Sequence, residues 1–304
     1  MKRILICGSN GLLGQRLSLM LSALTEYEVL NTCMDRTSVF DHKILLDYTQ
    51  LDITNKKDVK SLVSSYLPGF IINAAAETNV DLCETNRELA WNVNVHGVEN
   101  LVEACRKTGA TLIHTSTDYI FDGKKSPYRE DDQPCPLSYY GKTKLASENA
   151  IKTGGIHYSI VRSMFLYGYG INVKKNFALW VIDNLKAGKR IKCVDDQIGN
   201  PTHVRDFATS LIKTIELDRE GIYHICGSET ISRYDFAVRI AKEFRLDDSL
   251  IDKVKMVELN FSASRPLHSS FITDKAEREL GIEPLNVRMG LTLLKQELEQ
   301  QRKN

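Results

Sequence analysis

The chain has 304 residues, 42% hydrophobic and 26% charged, a composition that fits one large α/β domain with a smaller appendage. Lys plus Arg number 40 and Asp plus Glu 39, leaving a net charge of +1; that balance gives no electrostatic footprint for nucleic acid or an anionic membrane as partner. Seven cysteines and seven histidines are scattered without a CxxC or HExxH spacing, which argues against a disulfide framework, a zinc ribbon and a metal-dependent mechanism.

The first apolar run, 4–7, reads as a buried strand and is too short for a signal peptide or a membrane span. A reducing, cytoplasmic setting is therefore expected. Next comes Gly8-Ser9-Asn10-Gly11-Leu12-Leu13-Gly14, between that strand and a helical pattern over 12–24. Glycine is needed where a turn is tight and where backbone approaches a pyrophosphate, and the helix N-terminus offers free N–H groups to phosphates. The spacing GxxGxxG is the short-chain dehydrogenase variant of the dinucleotide loop. A second strand is expected over 29–34, ending at Met34-Asp35-Arg36. Asp35 suits the ribose hydroxyls of NAD and Arg36 the 2′-phosphate of NADP. The cofactor reading is thus NADP or NAD, with NADPH slightly preferred. Asp52 and Ile53 end a further strand, where Asp52 faces the adenine or caps a helix over 54–65.

Short β-branched runs at 70–75 and 111–114 flank a helix over 92–106, and a strand at 156–162 follows a helix over 139–150. Strands alternating with helices predict a doubly wound, Rossmann-type parallel sheet. From about residue 165 the pattern turns helix-rich, with helices over 177–186, 233–244 and 290–300 and short strands at 191–194 and 221–226. We expect a dinucleotide-binding domain from 1–165 with 191–226, and a smaller, mostly helical substrate lobe from 166–190 with 227–304. The Lys124-Lys125 and Lys174-Lys175 pairs read as solvated loop charges.

Tyr140-Gly141-Lys142-Thr143-Lys144 is a YxxxK. On a helix it sets Tyr140 and Lys144 one turn apart on one face. A neighbouring ammonium and a positive nicotinamide favour the phenolate, so the phenol becomes a usable acid near neutrality. Alone the motif is weak. Its context is Thr115-Ser116-Thr117-Asp118-Tyr119, at the carboxyl end of a predicted strand where ligands of open α/β sheets bind. Thr117 is placed to hydrogen-bond the same substrate oxygen.

These motifs, together with Ile72 to Ala76, Val80-Asp81, Glu84, Asp196 to Thr202, Gly221 to His224 and Arg265-Pro266, resemble the dTDP-4-dehydrorhamnose reductase family of extended short-chain dehydrogenases over nearly the whole chain. The resemblance implies catalytic roles for Thr117, Tyr140 and Lys144, with Asn94 supporting the lysine. It implies Asn73, Ala74 and Ala75 beside the nicotinamide. Thr78, Val80, Thr117, Asp118, Phe165 and Arg265 would meet the substrate, a 4-keto-6-deoxy nucleotide sugar. Phe165 stands where the family often has tryptophan, which leaves the sugar open. The runs 122–132 and 201–206 are similar to the regulatory β subunit of methionine adenosyltransferase, a dinucleotide-binding partner of another enzyme. A nucleotide-sugar epimerase is the other alternative. The oligomeric state, a homodimer included, stays open.

Overall fold

The computed structural model describes residues 1–40 and 46–301. In chain order the first half runs β1 (Lys2–Cys7), α1 (Leu12–Ser22), β2 (Tyr27–Cys33), β3 (Tyr48–Gln50), α2 (Lys56–Tyr66), β4 (Phe70–Asn73), α3 (Val80–Thr85), α4 (Arg87–Trp91), a π-helical turn (Asn92–His96), α5 (Gly97–Thr108), β5 (Thr111–Thr117), α6 (Tyr139–Lys152) and β6 (Tyr158–Ser163). The second half adds β7 (Leu166–Tyr167), α7 (Phe177–Lys186), β8 (Ile191–Val194), β9 (Ile198–Gly199), β10 (Thr202–His203), α8 (Val204–Glu216), β11 (Gly221–His224), β12 (Ile231–Ser232), α9 (Arg233–Phe244), β13 (Ile251–Val254), α10 (Asp274–Leu280) and α11 (Val287–Gln301).

Seven parallel strands form the main sheet in the order β11-β6-β5-β4-β1-β2-β3. Strand β1 shows why the sheet is covered on both faces. Ile4 and Ile6 join a core with Leu13 and Leu17 of α1 and Phe207 and Leu211 of α8. Leu5 and Cys7 join the opposite core with Val59 and Val63 of α2 and Val98 and Leu101 of α5. Alternate side chains point to opposite faces, so a strand apolar at every position belongs between two helical layers. The chain winds outward from β1 through β2 to β3 and then returns to β4 on the other side of β1. That reversal opens a crevice at the carboxyl ends of β1 and β4.

Two details depart from the sequence expectations. Strand β8 pairs with β13 and not with the main sheet, because Ile191 and Cys193 complete a third apolar core with α7, α9 and α11. The segment 191–194 therefore packs with α7, α9 and α11, whereas β11 lies on the edge of the main sheet as expected. The helix expected over 92–106 instead begins as a π-helical turn and continues as α5. Single π turns inside helices recur at functional sites, and this one carries Asn94.

Candidate active site

Three segments build the dinucleotide side of the crevice. Gly8 has φ +83°, and a Cβ there would lie 2.7 Å from the Ala75 backbone nitrogen. At Gly14 a Cβ would come within 2.1 Å of the Gly8 carbonyl oxygen, so only glycine lets α1 pack this close to the loop. Gly11 is different. A Cβ there would press on one atom only, the Gly8 carbonyl oxygen at 3.3 Å, which a shift of a few tenths of an ångström relieves. Gly11 starts α1 with no side-chain cap and no acidic residue in the first turn, which leaves the helix dipole and N–H groups for an anion. Asn10 fastens the loop to the end of β2. Its Nδ2 donates to Asp35 Oδ2 (2.8 Å), and its Oδ1 accepts from Val39 N (3.1 Å). These features fit a dinucleotide: an uncapped helix for the pyrophosphate and an oriented carboxylate for ribose hydroxyls.

Asn10, Gly11, Leu12, Leu13, Asp35 and Ala74 line a cleft of about 680 Å³, which continues past Thr78, Val80, Thr117, Asp118, Tyr140, Lys144 and Phe165. Gly8, Gly14, Asn73 and Ala75 are not among the lining residues, and Gly14 and Asn73 are buried. Arg36 is exposed outside it. Asp52 and Ile53 do not face the cleft. Asp52 Oδ1 accepts from the backbone and hydroxyl of Thr54. The α2 cap is Asn55, and Ile53 fills the core beneath Gly97.

The catalytic candidates converge where β5 ends and α6 begins. Ser138 caps α6 by accepting from Gly141 N (3.1 Å). Gly141 lets the helix abut the turn after β5, since a Cβ there would lie 2.1 Å from the Tyr119 carbonyl oxygen. Tyr140 is thereby held beside Thr117, and Lys144 beside the Thr115 carbonyl. Burial pushes the Tyr140 phenol well above its ordinary value, and a hydrogen bond with Thr117 only partly opposes this. The phenol is therefore fully protonated at neutral pH, the state of a proton donor.

Lys144 is almost fully buried, and burial pulls its pKa down to about 8. Its Nζ donates to the Thr115 carbonyl (2.7 Å) and lies 3.2 Å from His114 Nε2. Asn73 Oδ1 accepts from Ala75 N (3.1 Å), and its Nδ2 lies 3.2 Å from His114 Nδ1. His114 Nε2 lies 3.2 Å from both Ser147 Oγ and Lys144 Nζ, so the ring joins β4, β5 and α6. Burial, reinforced by the Lys144 charge, holds this histidine well below its usual pKa and thus neutral.

Asn94 does not touch Lys144. Its Oδ1 accepts from Glu77 N (2.9 Å), and its Nδ2 donates to Glu77 O and to Thr143 Oγ1 (both 3.0 Å). It ties the loop after β4 to α6. Asp118 is buried, and its carboxylate accepts from Thr117 Oγ1 (3.1 Å) and Ser269 Oγ (2.6 Å). Burial raises its pKa to about 6. Arg265 lies outside the cleft lining, where it donates to both oxygens of Asp81 (3.2 and 2.6 Å) and packs on Phe261. It clasps the segment around Ala263 to α3.

Sequence reasoning missed Arg233, Phe177 and the wall at 172–176, all of which line the cleft. The wall is held by Gln15 of α1, which donates to the Ile171 carbonyl and accepts from the Ile171 N–H, both at 2.8 Å. The signal for Arg233 was a cation at the first position of a helix, where the dipole disfavours it.

Residues 1–300 match the family model described as the RmlD substrate binding domain. The chain belongs to that family. With it the chain joins the extended short-chain dehydrogenases. It is similar to a dTDP-4-dehydrorhamnose reductase of Aggregatibacter actinomycetemcomitans, at 36% identity over 93% of this chain and 95% of that one. The Bacillus anthracis dTDP-4-dehydrorhamnose reductase, solved in complex with NADP, superposes with a TM-score of 0.86 at 33% identity, covering 98% of this chain and all of that one (100%). Methionine adenosyltransferase 2 subunit beta of Xenopus laevis is 33% identical over 82% of this chain and 74% of its own length.

Proposed function

We propose that the chain is an NADPH-dependent reductase of a 4-keto-6-deoxy nucleotide sugar, using NADH less well. The observation that carries the reading is that Thr117, Tyr140 and Lys144 share one cleft with the uncapped glycine-loop helix. A reduced nicotinamide dinucleotide, held by Gly11 to Leu13, Asn10 and Asp35, supplies the hydride when bound. Tyr140 gives its proton to the carbonyl oxygen as negative charge develops there. The Thr117 hydroxyl, anchored beside Asp118, steadies that oxygen. Lys144, displaced from the Thr115 carbonyl, turns its charge toward the ribose and the phenolate left behind, which favours release of the proton. The family relationship supports this reading. Burial keeps the Tyr140 phenol protonated at neutral pH, and the charges of Lys144 and of a bound nicotinamide would lower its pKa and make it a stronger proton donor.

The seven free thiols are compatible with a cytoplasmic setting, and none of the described helices is long and apolar enough to cross a membrane.

The deciding assay follows nicotinamide absorbance with NADPH and NADH against a panel of 4-keto-6-deoxy nucleotide sugars. Steady oxidation with one of them is expected. Tight dinucleotide binding without turnover of any would refute a reductase and favour the second reading, a dinucleotide-binding regulatory subunit. The likeness to methionine adenosyltransferase 2 subunit beta is what favours that alternative.

A further inference from the structure

Arg233 is in an environment that opposes its charge. It is the first residue of α9, whose cap is Ser232 accepting from Asp235 N (3.0 Å). A cation in the first turn faces the positive end of the helix dipole. The guanidinium carbon lies 3.4 Å from the centroid of the Phe165 ring and 4.8 Å from that of Phe177. Burial pulls its pKa down to about 10. Its backbone N–H donates to the Gln197 carbonyl (3.0 Å). For the guanidinium, the described residues provide no carboxylate and no hydrogen-bond acceptor.

The charges around it are committed elsewhere. Asp118, whose field reaches Arg233, has its two oxygens engaged by Thr117 and Ser269. Lys175 on the same wall pairs with Asp183, and Arg265 pairs with Asp81. Lys174 also lines the cleft and has no ion-pair partner among the described residues. Phenylalanine rings take the face of a guanidinium and leave its in-plane N–H donors unused. An unpaired, partly desolvated cation at the wrong end of a helix costs stability. Its position is explained by a ligand that brings the missing negative charge.

We propose that Arg233, backed by Lys174, is the residue pair that recognises the diphosphate of the nucleotide-linked substrate. The inference rests on the nucleotide-sugar reading above and adds the group that selects for it. The planar fork of arginine matches two phosphate oxygens, whereas lysine offers one point charge. The guanidinium stacks on Phe165 and Phe177, whereas the dinucleotide's own pyrophosphate is assigned to the uncapped start of α1 at Gly11.

The test uses Arg233→Met, which keeps the apolar stem and removes the charge and donors, with Arg233→Lys as partial rescue. Calorimetry on NADPH-loaded protein would measure dTDP and UDP binding, alongside KM, kcat and the NADPH Kd. The expected result is a roughly 10- to 100-fold loss of nucleoside diphosphate affinity and a matching rise in KM. The kcat at saturation and the NADPH Kd should stay near wild type, with Arg233→Lys intermediate. An unchanged NADPH Kd also shows that the variant is folded. Arg233→Met binding dTDP and UDP as tightly as wild type would overturn the proposal, as would wild-type protein that binds neither. Loss of diphosphate binding in a protein that reduces no sugar would sink the reductase and keep the Arg233 site. Normal KM in an active Arg233→Met enzyme would do the reverse.

Discussion

Replacing Glu148 by glutamine should weaken both the fold and the catalytic geometry. Glu148 lies on α6 one turn after Lys144, with its side chain fully buried. Its carboxylate accepts from Arg162 Nε (2.9 Å) and Nη2 (2.7 Å) and from Ser116 Oγ (2.6 Å). Arg162 is on β6, and Ser116 precedes Thr117 on β5. The pair therefore fastens the helix bearing Tyr140 and Lys144 to the strand bearing Thr117. Removing one partner of a buried ion pair costs roughly 3–5 kcal/mol, because the other charge is left without compensation. Glutamine keeps one acceptor, so the lower end, about 3 kcal/mol, is expected. For a chain of 304 residues that is a fall in Tm of about 5 °C.

The pH dependence has a definite sign. Burial raises the Glu148 pKa, but the bonds and charge of Arg162 outweigh it, and the net shift is downward. The pair's contribution is thus complete above the unfolded glutamate value of about 4.3 and is lost as pH falls through the lower folded value. Melting curves of wild type and Glu148→Gln between neutral and acid pH would show the gap closing in acid. A gap below about 1 kcal/mol at neutral pH, or one that widens in acid, would refute the reasoning.

Three further outcomes are expected. Tyr140→Phe should lower kcat by about 10²- to 10⁴-fold with NADPH affinity unchanged, as read by steady-state kinetics and a binding titration. Gly11→Val should abolish dinucleotide binding with only a small fall in Tm, since its Cβ would press on one atom of the fold, the Gly8 carbonyl oxygen at 3.3 Å, but would fill the space beside a pyrophosphate; a binding titration and melting curves check both. Lys144→Met should remove activity yet raise Tm at neutral pH. The Lys144 pKa is about 8 in the folded chain and about 10.4 unfolded, so the unfolded state binds more protons between those values. Wild-type stability at this site therefore rises with pH, and the advantage of Lys144→Met should shrink from pH 8 to 10.

Local signals carried much of the fold. The apolar runs marked the main strands, and the glycine spacing marked the turn at the crevice. The YxxxK and the Thr117 stretch came from distant elements, yet both were placed by the ends of strand and helix patterns. What the sequence leaves out is long-range. The resemblance implies a substrate-facing Arg265, and the structure pairs its guanidinium with Asp81, 184 residues away. Ile53 reads as a strand-end residue, and its burial follows from the close approach of Gly97. Helix α8 was overlooked although Val204, Phe207, Ala208, Leu211, Ile212 and Ile215 recur at helical spacing. Its cap is His203, outside the residue types that normally announce a helix start. Arg233 gains meaning only when Phe165 and Phe177, from two other segments, meet it.

Strand β1 has a consequence for how the chain finds its frame. Both of its faces require aliphatic side chains, so the order Ile4, Leu5, Ile6, Cys7 does not by itself distinguish one face from the other. A shift by one position would present each core with acceptable residues. The residue that refuses the shift is Gly8, the only one of this run that tolerates φ +83° and the backbone of Ala75 at its side. The glycine that shapes the cofactor loop is thus also the punctuation mark that sets the reading frame of the central strand. At Gly8, variation is constrained by folding as well as by binding.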